Sequence, residues 1–410
     1  MFLYRLLNFL LIPLTFSYLC WKSFRHRQLR YLKQRLGIGL EAIPKSCLWL
    51  HCASVGEVNT ALPLLHELHR REPQQQFLIT TNTPTGAEII FRQQQSYLHH
   101  AYLPFDWMLS VTLFITTLKP RALYILETEL WPNLFSICHS RDVPIIIING
   151  RLSSKTTSTY KWVRKVLGQL LRLTEHIYAR SEADMAAFIK LGANRNRVSM
   201  IGNLKYSPPS TQSSEKSQTT RQYIVAASTH DNEEIQILKC WLKLNRDELL
   251  VIAPRHPERR DEILKQLISL SEMIAVRSRN DTISDSTKVY LLDTVGELNN
   301  WFAGARLVIM GGSFIPRGGH NLLEPAHFGK AVIFGPSMEN FYEESRLMLK
   351  MHAAVQVASI DRLCEQLQHF LSNPDALQSL ENNVHEATAG FSHIVADYAD
   401  IISPRMDINK

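Results

Sequence analysis

Short apolar runs alternate with amphipathic segments along most of the chain. This alternation is typical of a parallel sheet whose strands are joined by crossover helices. In the first half the predicted strands are 47–51, 77–81, 122–126, 143–148, 176–179 and 198–201. In the second half they are 223–227, 249–253, 288–292, 306–310 and 331–334. Each half is therefore expected to form a doubly wound α/β domain.

The segment SPPSTQSSEKSQTT, residues 207–220, breaks this pattern because its only apolar residues are two prolines. It predicts a linker, which we bound at 207–222. The two Rossmann-like domains are then 22–206 and 223–378, facing each other across an interdomain cleft. The last segment, 379–410, has a helical pattern without a strand and is a candidate to pack back across the hinge.

The chain begins with an apolar run at residues 6–21. With residues 2–5 it is about the minimum length of a membrane-spanning helix, although Arg5, Asn8 and Pro13 weaken it. We predict an anchor helix at 1–21 that crosses a membrane once and supplies location without chemistry. A cleaved signal peptide is disfavoured, because the positive charges follow the run and no small-residue cleavage site is present. A helix lying in the membrane interface is the other alternative.

The distribution of charge gives this anchor a direction. The formal net charge is +7, and six basic residues follow the apolar run before the first acidic residue, Glu41. They are Lys22, Arg25, Arg27, Arg30, Lys33 and Arg35. Because basic flanks stay on the cytoplasmic side, the rest of the chain is expected in the cytoplasm. A basic patch can also indicate nucleic acid, but no nucleic-acid-binding motif accompanies it.

Size and cysteine usage narrow the class of protein. With 410 residues, 45% of them hydrophobic, the chain is long enough to bury the cores of two domains. The six cysteines have no paired CxxC spacing, so the sequence indicates neither a zinc site nor a disulfide framework. This pattern fits a reducing compartment.

The stretch WLHCASVGEVN, residues 49–59, contains Ser54 and Glu57 just before a helical pattern. Their spacing is that of a capping box, in which the serine hydroxyl and the glutamate carboxylate satisfy backbone amides. A carboxylate at the carboxyl end of a strand also faces the crevice where open α/β sheets bind ligands. The stretch alone favours the cap and leaves the second interpretation open.

The stretch VIMGGSFIPRGGHNLLEPAHFGKAVIFGP, residues 308–336, predicts a nucleotide site. The amides of Asn321, Leu322 and Leu323 would face an anion at a helix start, and Glu324 could accept hydrogen bonds from ribose hydroxyls. Asn321 and Glu324 also match a capping box, but a cap does not require the glycines at 311, 312, 318 and 319. The absence of GxxxxGK[ST] and GxGxxG argues against a P-loop and a dinucleotide fold.

Two further strand ends carry candidate donor-binding residues. In APRHPER, residues 253–259, Pro254 leads to Arg255, which can bind a phosphate through two of its guanidinium nitrogens. Arg259 and Arg260 fit solvated surface arginines better. The second strand end is DTVGEL at 293–298. There the backbone groups of Val295, Gly296 and Glu297 could hydrogen-bond to the edge of the nucleotide base.

Over nearly its whole length the sequence resembles the Kdo transferases. The motifs occur in the family's order: HCASVGE, TTNTPTGAE, ETELWPN, NGRLS, GNLKY, APRHPER, DTVGEL and GGHNLLEP. These enzymes transfer 3-deoxy-D-manno-octulosonic acid (Kdo) from CMP-Kdo to lipid A precursors in lipopolysaccharide biosynthesis of Gram-negative bacteria. The resemblance implies a GT-B glycosyltransferase with an amino-terminal acceptor domain and a carboxyl-terminal CMP-sugar domain. It also implies a single-pass anchor in the inner membrane with the catalytic domains on its cytoplasmic side.

The resemblance implies that Glu57 is the general base that deprotonates the acceptor hydroxyl in an inverting transfer. The reaction needs a cation near the leaving phosphate, for which Lys205 fits, and an anion near the oxocarbenium-like sugar, for which Glu127 fits. Glu129 is the alternative to Glu127, and the two face the same side if the strand continues. We expect neither a metal nor a cofactor, because the positive charges are supplied by the protein.

Three histidines, His51, His256 and His320, are left out of the catalytic set because buried or hydrogen-bonded histidines are commoner than catalytic ones. A nucleotide-sugar epimerase on the same fold and a membrane-bound nucleotide-sugar binding protein are the rival functions. The sequence leaves open how many Kdo residues are added, the acyl-chain preference and the oligomeric state.

Overall fold

The computed structural model describes residues 2–25, 28–153, 156, 158–207, 219–267 and 273–405. The chain divides into two compact units. The first comprises Met1–Ser210 together with His393–Lys410, and the second comprises Thr211–Ser392. Most of the predicted linker, residues 208–218, lies outside the described residues.

The amino terminus forms two helices, so the prediction of one continuous helix is wrong. They are α1 (Phe2–Leu10) and α2 (Ile12–Arg25), bent by 58° relative to each other. Pro13 occupies the second position of α2, where its missing N–H interrupts the hydrogen-bond ladder of a continuous helix. Within the described part of the chain no single helix is long and apolar enough to cross a membrane, although the bent pair together reaches that length and composition.

The first unit is built on a parallel seven-stranded sheet. Its strands are β1 (Leu48–His51), β2 (Phe77–Thr81), β3 (Leu98–Tyr102), β4 (Ala122–Leu126), β5 (Ile145–Gly150), β6 (His176–Ala179) and β7 (Val198–Met200). Their order across the sheet is β3-β2-β1-β4-β5-β6-β7. All residues of β5, sequence IIIING, are buried, as expected for a parallel strand covered on both faces.

In the described parts of residues 29–191, further helices of seven or more residues follow α1 and α2. They are α3 (Leu29–Arg35), α4 (Val55–Arg71), α5 (Pro84–Gln93), α6 (Met108–Leu118), α7 (Pro132–Ser140), α8 (Lys161–Leu171) and α9 (Glu182–Leu191). One apolar core contains Trp49, Phe114 and Phe135, packed between the sheet and its helices. The fold therefore matches the doubly wound α/β class predicted from the sequence.

The second unit contains another parallel seven-stranded sheet. Its strands are β8 (Tyr223–Thr229), β9 (Leu249–Pro254), β10 (Ile274–Val276), β11 (Val289–Leu291), β12 (Val308–Met310), β13 (Val332–Phe334) and β14 (Ala354–Gln356). Their order is β10-β11-β9-β8-β12-β13-β14. Helices of this unit are α10 (Glu233–Leu244), α11 (Arg260–Gln266), α12 (Leu298–Gly304), α13 (Leu323–Ala326), α14 (Tyr342–Lys350), α15 (Ile360–Ser372) and α16 (Pro374–Ala389). The chain then returns to the first unit as α17 (Ile394–Ile402).

Three strands were not predicted, and all three lie at sheet edges: β3, β10 and β14. An edge strand contacts only one neighbour, so it tolerates short length and polar residues. β3 has the sequence LHHAY, and β10 and β14 have three residues each. Their hydrophobic patterns were therefore too weak to predict strands.

Two of the scattered cysteines are brought together in the second unit. Cys240 of α10 and Cys364 of α15 form a disulfide with their Cα atoms 5.5 Å apart. This pair was not predicted, because the two residues are 124 positions apart in the chain. Cys20, Cys47, Cys52 and Cys138 are free thiols.

The attachment of α1 depends on a buried carboxylate, Asp106. Asp106 Oδ2 accepts hydrogen bonds from the Tyr4 hydroxyl at 2.8 Å and the Asn133 amide at 3.0 Å, and Oδ1 accepts from the Leu134 amide at 2.8 Å. The Asn8 amide group donates to the Asp106 carbonyl at 3.1 Å. Burial raises the pKa of Asp106 to about 6, although these hydrogen bonds oppose the rise.

We expect Asp106→Asn to lower the free energy of unfolding by about 1–3 kcal/mol, because an amide nitrogen would then face a backbone N–H that cannot donate to it. The raised pKa makes the native carboxyl hold a proton that the unfolded chain releases. Its contribution to stability is therefore complete below about pH 4 and is lost as the pH rises through 6. Chemical unfolding at several pH values measures both effects.

The control is Asp142→Asn, an exposed residue at positive φ, where asparagine fits equally well. Equal stability of the two variants at every pH would contradict the role assigned to Asp106.

Candidate functional site

The strand order of the first unit reverses between β1 and β4. From β1 the chain adds β2 and β3 on one side of the sheet, and from β4 it adds strands on the other. Open α/β sheets bind ligands outside the carboxyl ends of the strands at such a switch point. Glu57 follows β1 and Glu127 follows β4, so two predicted catalytic carboxylates lie at this position.

Glu57 forms the predicted capping box at the start of α4. The Ser54 hydroxyl oxygen accepts a hydrogen bond from the Glu57 amide at 3.3 Å. The Glu57 carboxylate in turn accepts from the Ala53 amide at 2.8 Å and from the Ser54 hydroxyl at 3.0 Å. The structural interpretation of this motif is therefore confirmed.

The same carboxylate has unusual electrostatics. Burial, together with the charges of Glu127 and Glu129, raises the pKa of Glu57 to about 7, against the hydrogen bonds from Ala53 and Ser54. A carboxyl group with a pKa near neutrality can both accept and release a proton at a working pH near 7. The capping role and a role as a base are thus compatible in one residue.

Glu127 occupies the left-handed backbone region with φ 58°, which is uncommon for a residue other than glycine. Its amide donates to the Ile148 carbonyl at 3.0 Å. Its carboxylate forms an ion pair with Lys205, with 2.6 Å between Oε1 and Nζ. Glu127 and Lys205 therefore contact each other directly. They were predicted to act on opposite charges of the substrate.

Glu129 does not continue a strand with Glu127, because β4 ends at Leu126 and the backbone turns at Glu127. The condition for a shared face is therefore not met. Glu129 Oε2 instead accepts a hydrogen bond from the Trp131 indole N–H at 2.6 Å. Burial raises the pKa of Glu129, while Trp131 and Arg35 oppose the rise.

The segment that carries Lys205 is held by two asparagines. Asn149, at the end of β5, accepts a hydrogen bond from the Leu204 amide at 3.0 Å. Asn203 accepts from the Lys205 amide at 3.1 Å. Asn149 has φ 52°, so it is a second residue in the left-handed region at a strand end. Its place in the NGRLS motif was the signal that could have identified it.

Tyr398 of α17 adds a contact that the sequence did not suggest. Its hydroxyl donates to the Gly202 carbonyl at 3.1 Å and accepts from the Asn149 amide at 3.1 Å. The residue is fully buried. No local motif marks Tyr398, because its partners lie about two hundred positions earlier in the chain.

In the second unit the strand order reverses between β8 and β12. The residues after β8 lead to His230, and β12 is followed by the glycine-rich loop. Glu233, fully buried at the start of α10, accepts from the amides of His230 at 2.9 Å, Gly312 at 2.6 Å and Phe314 at 3.0 Å. It holds the loop in place, and sequence reasoning missed it.

The glycines of this loop are required by contacts within the protein. Gly312, Gly318 and Gly319 have positive φ values of 65°, 82° and 70°. A Cβ atom at Gly311 would lie 2.6 Å from the Thr229 Cα, and one at Gly319 would collide with the Met338 sulfur. The explanation that these glycines leave space for a ligand is therefore unnecessary, because the fold itself excludes side chains there.

At the start of α13, one of the three amides that were predicted to bind an anion is already hydrogen-bonded within the protein. α13 has a single turn, and Asn321 Oδ1 already accepts a hydrogen bond from the Leu323 amide at 3.1 Å. That amide is therefore not free for a ligand. The side chains of Leu322 and Leu323 are buried, whereas Glu324 is exposed and hydrogen-bonded to Asn321.

Arg255 is the clearest free cation of the predicted donor residues. Pro254, the last residue of β9, is buried, and the Arg255 amide donates to the Thr229 carbonyl at 2.9 Å. The guanidinium is exposed and forms no ion pair with a residue that the structure describes. Its positive charge opposes the rise in the pKa of Glu324 and contributes to the lowered pKa of His320.

The second predicted donor-binding loop, residues 295–297, is open to solvent. Val295 is 87% exposed, and Gly296 has φ 91° with no atom near the position of a Cβ. Glu297 forms a two-point ion pair with Arg277, at 2.7 Å and 3.2 Å. The backbone of this loop can therefore meet a ligand without rearrangement of a side chain.

The expectation for Arg259 was wrong. Its guanidinium binds Glu234 at 2.9 Å and also contacts Asp231 and Glu262, and only 15% of the side chain is exposed. Arg260 is more exposed and pairs with Asp261 at 2.9 Å. Arg259 therefore supports the fold, because it neutralises the fully buried Glu234.

The histidines near both sites are neutral or exposed. His51 is fully buried, and burial lowers its pKa to about 3. Burial, followed by the neighbouring His230, lowers the pKa of His320 to about 4, and the two Nε2 atoms lie 2.9 Å apart. His256 is exposed beside Glu258. Among the residues with described positions, no cluster of three or more His, Cys, Asp or Glu side chains is arranged to hold a metal ion.

We expect Tyr398→Phe to loosen the Lys205 segment, because the buried Asn149 amide and the Gly202 carbonyl both lose a partner. The loss should be about 1–3 kcal/mol of unfolding free energy. Backbone amides at 202–206 should exchange faster with solvent, which hydrogen-exchange mass spectrometry measures. The exposed Tyr160→Phe is the control, and unchanged exchange in Tyr398→Phe would contradict the supporting role.

Known proteins resemble this chain in sequence and fold. Residues 30–207 match the family model described as 3-deoxy-D-manno-octulosonic-acid transferase (kdotransferase). The 3-deoxy-D-manno-octulosonic acid transferase of Haemophilus influenzae is 30% identical over 95% of this chain and 94% of its own length. That of Rickettsia bellii is 29% identical over 98% of both chains.

The solved structure of UDP-GlcNAc 2-epimerase from Neisseria meningitidis aligns with a TM-score of 0.56 over 88% of this chain and 99% of its own. At 11% identity this likeness shows a shared fold and nothing about activity. The sequence relatives decide the family, because one of them shares 30% identity over nearly the full length. The chain therefore belongs to the 3-deoxy-D-manno-octulosonic acid transferase family and is a glycosyltransferase.

Proposed function

We propose that this protein transfers Kdo from CMP-Kdo to a lipid A precursor at the cytoplasmic side of the bacterial inner membrane. The mechanism is metal-independent and inverting, and Glu57 is the general base. The observation that carries the proposal is the position of Glu57 at the β1 end, with a pKa of about 7, beside Glu127 and Glu129. No resident cofactor is required, since CMP-Kdo is a substrate.

In the proposed step the Glu57 carboxylate takes the proton of the acceptor hydroxyl. The acceptor oxygen bonds to the anomeric carbon from the face opposite the phosphate, the bond from that carbon to the phosphate oxygen breaks, and CMP leaves as a monoester. The pKa of Glu57 supports this role, because a base is most effective when its pKa lies near the working pH.

Glu127 and Lys205 supply the charges that the transition state needs. The anomeric carbon becomes positive, which a nearby carboxylate stabilises, and the leaving phosphate gains negative charge, which an ammonium stabilises. Their 2.6 Å ion pair supports a site that already presents both charges. Glu129 is the weaker candidate for the anion, because burial raises its pKa and Trp131 occupies one of its oxygens.

The donor nucleotide is assigned to the second unit, at Pro254, Arg255, Val295–Glu297 and Asn321–Glu324. The exposed Arg255, whose charge acts on Glu324, supports binding of a phosphate and a ribose at this end of the sheet. The predicted contributions of the Asn321 and Leu322 amides remain part of the proposal, whereas the Leu323 amide is already bonded within the chain.

Incubation of the protein with CMP-Kdo and lipid A precursor tests the transfer directly. A heavier product lipid in mass spectrometry is expected, and its mass also gives the number of Kdo residues added. A nucleotide-sugar epimerase or a binding protein without turnover would leave the lipid unchanged.

A pH series with two variants tests Glu57. In the wild type, kcat/KM should fall about tenfold per unit as the pH drops below about 7, because the base must be ionised. Glu57→Gln should reduce kcat/KM by roughly 10²- to 10⁴-fold at pH 7 and above, and the loss should shrink at lower pH because the wild type itself falls there. Ser54→Ala should keep the base but lose a hydrogen bond that lowers its pKa, so the acid limb should move to higher pH.

Ser54→Ala also distinguishes the helix-capping role of the motif from its catalytic role, since loss of an N-cap costs about 0.5–2 kcal/mol of stability. Ser54→Ala should therefore melt earlier and keep the acid limb, whereas Glu57→Gln keeps the Ser54 cap and should lose the acid limb. Wild-type turnover in Glu57→Gln would show that the residue is a cap alone.

Calorimetric titration with CMP tests the donor assignment. Arg255→Ala should weaken binding by roughly 10- to 100-fold, the value of a hydrogen bond to a charged group, and Glu324→Gln should weaken it less. Arg279→Ala, an exposed arginine of the same unit, changes the net charge equally and is the control. Unchanged affinity in both site variants would place the nucleotide elsewhere.

A further inference from the structure

A cavity of about 600 Å³ lies beneath the two amino-terminal helices. Its apolar walls include Phe9, Ile12 and Phe16 of α1 and α2, and Leu109 and Leu113 of α6. Ile38, from the turn after α3, closes another side. This volume lies within the range of about 300–1,000 Å³ that is usual for small-molecule sites.

The polar groups of the cavity are gathered in one place. Arg5, Asn8 and Asn133 also line it, and the Arg5 guanidinium donates to the Asn133 side-chain oxygen at 3.4 Å. Asn8 and Asn133 both donate to the Asp106 carbonyl, at 3.1 Å and 2.6 Å. Because these side chains share partners, the cavity has a polar end with one positive charge and an apolar remainder.

The polar end lies near the carboxylates of the switch point. Asn133 follows Glu129 by four residues, a stretch that spans at most about 14 Å. A second connection runs through α3: the charge of Arg35 acts on Glu129, and the next residue, Leu36, lines the cavity. Asn133 and Leu36 therefore connect the cavity to Glu129 through short stretches of chain.

The outer rim of the cavity continues into an exposed apolar surface. Phe9 is 69% exposed and Leu109 is 70% exposed, and Leu14 on α2 is 68% exposed. Lys22 and Arg25 lie at the end of α2, so this surface is flanked by positive charge. Exposed apolar groups beside basic residues fit the boundary of an anionic lipid layer.

We propose that this cavity binds one fatty acyl chain of the acceptor glycolipid, so that α1 and α2 form part of the acceptor site. The inference rests on the proposed function, which supplies a lipid acceptor. The apolar walls take the chain, the positive Arg5 end faces the anionic headgroup, and the short segment from Asn133 to Glu129 sets the distance to the reacting hydroxyl. The amino-terminal run thus contributes to substrate recognition, in contrast to the expectation that it supplies location alone.

The test compares two acceptors, the acylated precursor and its fully deacylated disaccharide, in the same detergent. Ile38→Trp fills the cavity from a half-exposed position and should raise KM for the acylated acceptor at least tenfold. It should leave kcat/KM for the deacylated acceptor unchanged. Leu14→Trp makes the same kind of change on α2 outside the cavity and should alter neither value.

Leu109→Trp is a second filling variant at an exposed position, which guards against misfolding of the first. Equal kinetics of wild type and both filling variants on the acylated acceptor would overturn the proposal. A loss that is equal for both acceptors would also overturn it, because the cavity would then hold a bilayer lipid or support the fold.

A binding measurement separates this inference from the proposed function. Fluorescent cis-parinaric acid should bind the full-length wild type and Leu14→Trp, and at least tenfold more weakly to Ile38→Trp. Persistent binding to Ile38→Trp would exclude the cavity as the acyl site even if transfer is observed. Failure of the wild type to modify either acceptor would instead reject the transferase function, while the fatty-acid result would still decide whether the cavity binds acyl chains.

Discussion

The reversal of strand order at the centre of each sheet is the constraint on which the sites depend. Parallel strands place all their carboxyl ends at one edge, and crossover helices diverge only where the order reverses. In the first unit the reversal lies between β1 and β4, which puts Glu57 and Glu127 side by side. In the second it lies between β8 and β12, which puts His230 next to the glycine-rich loop. Residues far apart in sequence thereby become neighbours.

Glu57 shows that a structural and a catalytic interpretation of one motif need not exclude each other. The hydrogen bonds from Ala53 and Ser54 fix the carboxylate in one orientation and oppose the rise in its pKa. Burial and two neighbouring carboxylates act in the opposite direction. The balance leaves a group that is ordered like a cap and titrates near neutrality, which is what a positioned base requires.

Much of the fold could be predicted from the sequence because buried parallel strands are strongly apolar. Residues 77–81, 122–126 and 176–179 were predicted with the bounds that the structure has. Edge strands such as β3 were not predicted, because they contact a neighbouring strand on one side only and their hydrophobic pattern is weak. The break between α1 and α2 was signalled by Pro13, but the run was interpreted as one helix because its overall hydrophobicity dominated.

The candidate site was predicted where a motif carries its own chemistry, as at Glu57, Glu127 and Arg255. The supporting residues were not, because their partners are distant: Tyr398 binds Asn149, and Asp106 binds Asn133 and Tyr4. For the glycine-rich loop the structure offers a second explanation. Its glycines were attributed to a ligand, whereas neighbouring backbone and side chains already occupy the space that their Cβ atoms would need.

The return of α17 to the first unit has a consequence for synthesis on the ribosome. Tyr398 supports the Lys205 segment, but it is made only after the whole second unit, Thr211–Ser392. At about 5–20 residues per second this delay is roughly 10 to 40 s. During that time the nascent first unit has its sheet and helices but lacks the tyrosine that fixes the segment around Lys205. The candidate site therefore gains its last supporting contact only near the end of translation.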